Sequence, residues 1–495
     1  MQLRKSSFLF FSALVLAFAM ACKPEFKPST EPVTLTFSSD TVYLDTVFSS
    51  VGSSTRQMRI VNPSNQAVLI NNLYLAGGES SPFRINVNGE SGHHFADIQL
   101  AAHDSIYVFV EVTAAANGMS FLYTDSIVLL NAGLSQDIHL VTLALDAYFH
   151  YPNQLLVIPQ NQPNQDIRIP YRVLNGQTTW PTDKPHIIYG YVLIDSASSL
   201  DILAGSQLHF HNQSGIWVSS GGQLRMDASN NGSYDNPITM EGDRLEPFYH
   251  NIPGQWGGVL GGLFVQRGAN LIMNHTWLRN GSIGIRADSV PQGQGPNVTI
   301  TNSRITDMSR AGIYSGFGNI HMENVVIGNS GLYGFYTLGG TVNADHCSFV
   351  NHFPSARNTA TIGLFNRYDD GMGSYRYRDL NQANFSNCII TGSNSSEVGF
   401  GHGNQAAFNT HFEGSLIKLN TNPSPATYDP SDPNQFLNCL FNADPQLVDI
   451  NQWDYALDSA SQAIDLGIAP AAQRVPLDAL NHSRVLSPDA GALER

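Results

Sequence analysis

The chain has 495 residues, 42% of them hydrophobic and only 13% charged, with 43 Gly, 25 Pro, 4 Cys and a formal net charge of −15. Such a length accommodates two or three domains, each able to bury a core, and the Gly, Asn and Ser content suits short strands and tight turns, an all-β composition. The acidic balance argues against a nucleic-acid partner, whose binding needs clustered Lys and Arg.

Residues 1–22 read as a secretion signal: Arg4 and Lys5 precede an apolar run from Phe8 to Ala21 that is too short to span a bilayer. The run ends in Ala19-Met20-Ala21-Cys22, which resembles the bacterial lipobox and implies acylation of Cys22, hence a lipid anchor. Residues 23–34 form a Pro-rich tether. Lys23 stands where an Asp would retain a lipoprotein at the inner membrane, so the resemblance implies the outer membrane or cell surface of a Gram-negative bacterium.

From 35 to 148 the pattern is strands separated by turns: Arg56 to Val61, Val68 to Leu75, Ser105 to Val112, Asp125 to Leu130 and Asp137 to Leu145. With one or two more before Ser50, about seven strands predict an antiparallel sandwich. The stretch VNPSNQAVLINNLYLAG at 61–77, followed by SPFRI at 81–85, resembles the immunoglobulin-like domains that precede secreted β-helices. Residues 149–190, punctuated by six prolines, read as a connector.

Between 191 and 442 a short motif recurs: MNHTWL at 273–278, ITNSRI at 300–305, MENVVI at 322–327, ADHCSF at 344–349, FSNCII at 385–390, FEGSLI at 412–417 and FLNCLF at 436–441. Steps of 22 residues separate Asn302, Asn324 and His346, a spacing typical of one turn of a solenoid. Inward positions recur at period 2 on either side of the Asn, which predicts two short strands meeting there. A third strand is marked by Gly284-Ile285, Gly312-Ile313, Gly334-Phe335, Gly363-Leu364 and Gly399-Phe400. Three strands per turn, stacked in parallel, make a parallel β-helix. At the bend, Asn302, Asn324, Asn387 and Asn438 suit left-handed backbone and amides that bond along a stack. The pattern resembles the pectin-lyase-like right-handed parallel β-helix superfamily with its asparagine ladder. That resemblance speaks for fold and says little about activity.

Loops on a regular scaffold are where function concentrates. The loop 289–296 is one insertion; the larger, Phe353 to Leu380, brings Arg357, Tyr368, Asp369, Asp370, Tyr375, Arg376, Tyr377 and Arg378 together in a chain poor in charge. Tyr368, Tyr375, Arg376, Tyr377 and Arg378 are the ligand-binding candidates. Gly401-His402-Gly403 resembles a triplet of polygalacturonases on this fold, but the other motifs are incomplete: Asn358-Thr359-Ala360 lacks a carboxylate and Leu416-Ile417-Lys418 lacks an Arg. Asp369, Asp370 and His402 are therefore the catalytic candidates for a hydrolase or for a lyase aided by Ca²⁺. No other metal spacing is present. Cys347, Cys388 and Cys439 share a small inward column and are read as compact hydrophobes. Residues 443–495, with Asp465 and Asp489, resemble a closing module of secreted β-helix proteins, expected to cover an open end. The functional expectation is a lipid-anchored surface protein whose β-helix binds an extended ligand, a polysaccharide. The alternatives are a polysaccharide lyase or glycoside hydrolase, and a structural or adhesive protein.

Overall fold

Apolar residues two apart along each strand face one interior, and in the computed structural model they do so in two separate units that divide after Asp146. The structure describes residues 26–115, 121–160, 165–227, 231–288, 297–422 and 428–495. Cys22, with the expected signal sequence, and the 289–296 insertion lie outside them.

In the first unit, one five-stranded sheet runs in the order Thr36–Phe37, Arg56–Val61, Ser105–Val112, Phe83–Val87, Glu90–Gly92. The other runs Thr41–Phe48, Leu134–Leu145, Leu122–Asn131, Val68–Leu75, His94–Leu100. Their inner faces share one apolar core around Ile60, Ile70, Leu73, Val108, Val110, Ile127 and Leu140. There are ten strands rather than about seven, because short Glu90–Gly92 and polar His94–Leu100 carry little apolar signal. One pair, Leu134–Leu145 with Thr41–Phe48, is parallel. The expected tether is also docked from its middle on: Ser29 N–H donates to Ala67 O, and Val33 N–H to the Asn131 side chain.

The second unit contains three long sheets. The first has eleven strands, from Tyr148–His150 to Leu440–Phe441; the second has ten, from Gln154–Ile158 to Val398–Gly401; the third has ten, from Gln177–Trp180 to Phe436–Leu437. Each strand pairs in parallel with its equivalent one circuit later, apart from the antiparallel start of the second sheet, Gln154–Ile158 with Ile167–Leu174. The chain visits third, first and second sheets in rotation. The expected columns are in register: Met273, Ile300, Met322, Ala344, Phe385, Phe412 and Phe436 align strand by strand, as do Leu278, Ile305, Ile327, Phe349, Ile390, Ile417 and Phe441. Nearly all of these side chains lie in one continuous apolar interior, with Phe441 packed at its margin.

The stack begins at Tyr148, not at 191. The stretch expected as a connector holds the first strand of every sheet, and its prolines hid them because they sit in bends or, like Pro170, in a strand at the sheet's start. One Gly column also differs. Ile362, rather than Leu364, stands beside Phe335, so Gly363 and Gly399 lie two residues out of step with Gly334, a shift that preserves which face each side chain takes.

Left-handed backbone explains the Asn column: φ is 49° at Asn302, 54° at Asn324 and Asn387, 53° at Asn438, and 55° at Gly414, the one glycine of the series. The amides link successive circuits, Asn324 Nδ2 donating to Asn302 Oδ1 at 3.0 Å and Asn302 Nδ2 to Asn274 Oδ1 at 3.1 Å. Residues 443–495 run lengthwise over this flank and over the outward side of the first sheet. Trp453 Nε1 donates to Asp307, Ile468 is bonded to Asn387, Arg474 to Asp345, and the buried Arg484 to Asn324 Oδ1 and Glu494. The outward Val326, Val350, Ile389 and Leu416 are thereby buried against Tyr455, Leu457, Ala463 and Ala492.

Candidate functional site

The outward side of the first sheet is largely covered in this way, whereas the second sheet presents an aromatic row. Parallel register places Trp217, Phe264, Arg286, Tyr314 and Tyr336 at equivalent outward positions of five consecutive strands. Trp217 and Phe264 have ring centroids 6.0 Å apart, and the Arg286 guanidinium lies 5.2 Å from the Phe264 ring while donating to Asp288 at 2.7 Å. Tyr314 and Tyr336 stack at 4.6 Å with planes 9° apart. Phe365 continues the surface 5.2 Å from Tyr336, with Tyr333 alongside at 5.1 Å. Burial, followed by the neighbouring Tyr314, raises the Tyr336 phenol above its ordinary value, so its hydroxyl stays protonated at neutral pH. Beside Phe264 the face deepens into a concavity of about 420 Å³, walled by Ser220, Gln266, Arg267 and Asp288. An apolar ring flanked by an amide, a hydroxyl and a carboxylate suits the C–H face and hydroxyl groups of a sugar.

The large insertion forms a hairpin at the edge of this face. Arg367–Asp369 pairs with Tyr375–Tyr377, and Arg378 Nη1 donates to Gly316 O beneath, close enough to Tyr336 for its charge to be felt there. Tyr368 and Tyr375 are exposed, each with an arginine over its ring: Arg378 at 5.8 Å and Arg367 at 4.7 Å. Tyr377 turns inward against Gly403, where a Cβ would come within 2.6 Å of its ring. The five ligand-binding candidates thus share one hairpin, but Arg376 is engaged with Asp370 at 3.0 Å.

The catalytic candidates sit in two different local settings, the hairpin turn for Asp369 and Asp370 and the Phe408 ring for His402. Asp370 accepts from the N–H groups of Met372 and Ser374 and from Arg376, and these bonds, the Met372 one foremost, hold its carboxyl below the usual range. Asp369 accepts from Gly371 N–H. Both carboxylates build the turn. His402 stacks on Phe408 at 4.8 Å. The glycines on either side of it are explained by close approach of rings: Phe365 lies over Gly401 and Tyr377 over Gly403. Arg357, counted with the insertion's charges, is fully buried and donates to Glu397 at 2.8 Å; Glu397 also accepts from Thr361 N–H, Thr361 Oγ1 and Asn394 N–H. Among the described residues, no group of three or more His, Cys, Asp or Glu side chains is placed to hold a metal ion. Cys347 and Cys388 are buried thiols in the interior column, Cys439 is half-buried, and all three are free. No helix of the described residues is long and apolar enough to cross a membrane.

Sequence reasoning missed the aromatic row. Its signal was present: the residue after each of three Gly-apolar pairs reads Arg286, Tyr314, Tyr336, and these stand in one outward column.

No protein-family model matches the chain, and no curated protein matches it. Among solved structures, similarity is found to a family 123 glycoside hydrolase from Clostridium perfringens, 9% identical over 24% of this chain and 31% of that one, at a TM-score of 0.17. The E. coli chaperone DraB is 14% identical over 22% of this chain and 54% of its own, also at 0.17. The Salmonella enterica SafA pilin in complex with the SafB chaperone gives 13% identity over 27% and 67%, again at 0.17. The chain spans between about a third and two thirds of these structures, and scores so low carry no argument about fold or activity.

Proposed function

We propose that this is a lipoprotein anchored through Cys22 at the outer membrane or cell surface of a Gram-negative bacterium, with an immunoglobulin-like sandwich followed by a right-handed parallel β-helix of the pectin-lyase-like kind. The outward face of the second sheet binds an extended polysaccharide. One observation carries the ligand reading: two aromatic groups, Trp217 with Phe264 and Tyr314 with Tyr336 and Phe365, lie in one outward row with Arg286 between them and polar groups along the edge. A linear glycan offers a matching series of apolar ring faces and hydroxyl groups. The sandwich then acts as a spacer from the membrane.

Of the residues considered for the enzymatic alternative, Asp369 and Asp370 are engaged in the hairpin turn and His402 stacks on Phe408. A glycan array on the purified protein, with product analysis of each hit with and without Ca²⁺, tests the reading. Binding without cleavage supports it. Unsaturated or newly reducing products would replace it with catalysis, and no binding to any polysaccharide would leave a structural or adhesive role. Anchoring is tested separately: Cys22→Ala is expected to abolish fatty-acid labelling and release the protein from membranes, and persistent labelling would contradict it.

A further inference from the structure

A second concavity, of about 500 Å³, lies on a different sheet from the aromatic row, between the last strands of the first sheet and the start of the C-terminal segment. That volume falls within the range of small-molecule sites. Its sheet side is formed by Thr391, Gly392 and Lys418, with His352 at the rim; its other side is formed by residues 442–447 and Ile450. Lys418 distinguishes it. The ammonium donates to Gly392 O at 2.7 Å, and no carboxylate pairs with it among the described residues. Arg357, whose charge also reaches His352, is instead paired with Glu397. An ammonium carries three donors, so two of Lys418's remain for an occupant. Burial, then the Lys418 charge, lowers the His352 pKa, with Glu397 opposing, and the imidazole is neutral at pH 7. Asp444 accepts from Gln446 N–H at 3.0 Å through one oxygen. Its other oxygen suits a hydroxyl donor, and Pro445 and Leu447 supply an apolar wall.

We propose that this concavity binds a small hydroxylated carboxylate, with the carboxylate on Lys418 and the hydroxyl groups on Thr391, His352 and Asp444. A fixed cation facing neutral and acidic hydroxyl acceptors selects against both a neutral polyol and a polyanion. The site is independent of the polysaccharide reading.

The test is calorimetric titration of the purified protein with gluconate, with glucose as the neutral control. Gluconate is expected to bind and glucose not to. Lys418→Met, which keeps the chain length and removes the charge, is expected to weaken gluconate roughly tenfold or more without changing the melting profile. Should that variant not fold, the wild-type protein decides the matter by proton NMR of the His352 ring, assigned through His352→Gln. The ring signal is expected to shift with gluconate and saturate with the calorimetric affinity. No gluconate binding, equal binding by Lys418→Met, or an unmoved His352 signal at saturation would each overturn the proposal.

Discussion

Replacing Asn387 tests why the bend carries asparagine. The side chain is fully buried at φ 54°. Its Nδ2 donates to His346 Nε2 at 3.0 Å and to Ile468 O at 3.1 Å, and its Oδ1 accepts from Ile468 N–H at 2.8 Å. At about 1 kcal/mol net for each bond, Asn387→Ala loses roughly 3 kcal/mol, and a Cβ without a bonding partner in left-handed backbone adds about 1 kcal/mol. Asn387→Gly loses the bonds but not the backbone allowance, as Gly414 does naturally in the same column, and is expected to be destabilised by about 3 kcal/mol rather than about 4. All five tryptophans lie beyond residue 147, so tryptophan fluorescence in a urea titration follows the second unit alone. Because Ile468 is held through Asn387, both variants are also expected to expose residues 443–495 to limited proteolysis. An Ala variant no less stable than the Gly variant would refute the backbone argument, and two variants as stable as the wild type would refute the ladder itself.

Arg357→Met strands the buried Glu397 carboxylate and is expected to destabilise the second unit by about 3–5 kcal/mol in the same titration, with part of the loss recovered in the Arg357→Met, Glu397→Gln double variant. Acid is expected to weaken the start of the stack. His150 lies 4.3 Å from the Trp180 ring and is hydrogen-bonded to His186 at 2.9 Å, and burial lowers its pKa to about 3. The unfolded chain binds that proton from about pH 6.5 while the folded one does not, so stability present above pH 6.5 is lost as pH falls toward 3. His150→Phe is expected to flatten melting temperature against pH over that window; an unchanged slope would contradict the assignment. Gly401→Ala drives a methyl into the Phe365 ring and is expected to weaken glycan binding, whereas His402→Ala is expected to leave it nearly unchanged, which a binding assay on the two variants decides.

Much of the second unit was legible because its constraints repeat. A narrow interior admits one side chain per strand at each position, so Ile305, Ile327 and Ile390 announce themselves by period, and left-handed backbone selects Asn at the same place in each circuit. Where the physics is not periodic, the reading stopped. The first circuit was hidden in a Pro-rich stretch because prolines in bends look the same as prolines in a linker. The lengthwise course of residues 443–495 depends on outward residues such as Val326 and Ile389, whose burial comes from a segment more than fifty residues away. The candidate site was visible only in part. Tyr368 and Tyr375 stood out by local concentration, but Trp217, Phe264, Tyr314 and Tyr336 are separated by 22 to 50 residues and meet only through register. Asp369 and Asp370 drew notice as an acidic pair, although a tight turn calls for the same residues.

The central claim is that the aromatic row of the second sheet holds a glycan. Its most direct test compares the affinity of the wild-type protein for its strongest array polysaccharide with that of Tyr314→Ala, Tyr336→Ala and the double variant. The stacked pair is half-buried on the outward surface and supports no interior packing, so folding is expected to persist. At about 1 kcal/mol for each ring, the account predicts a loss of roughly fivefold in each single variant and roughly thirtyfold in the double, with the melting profile retained. Undiminished affinity in the double variant would contradict it.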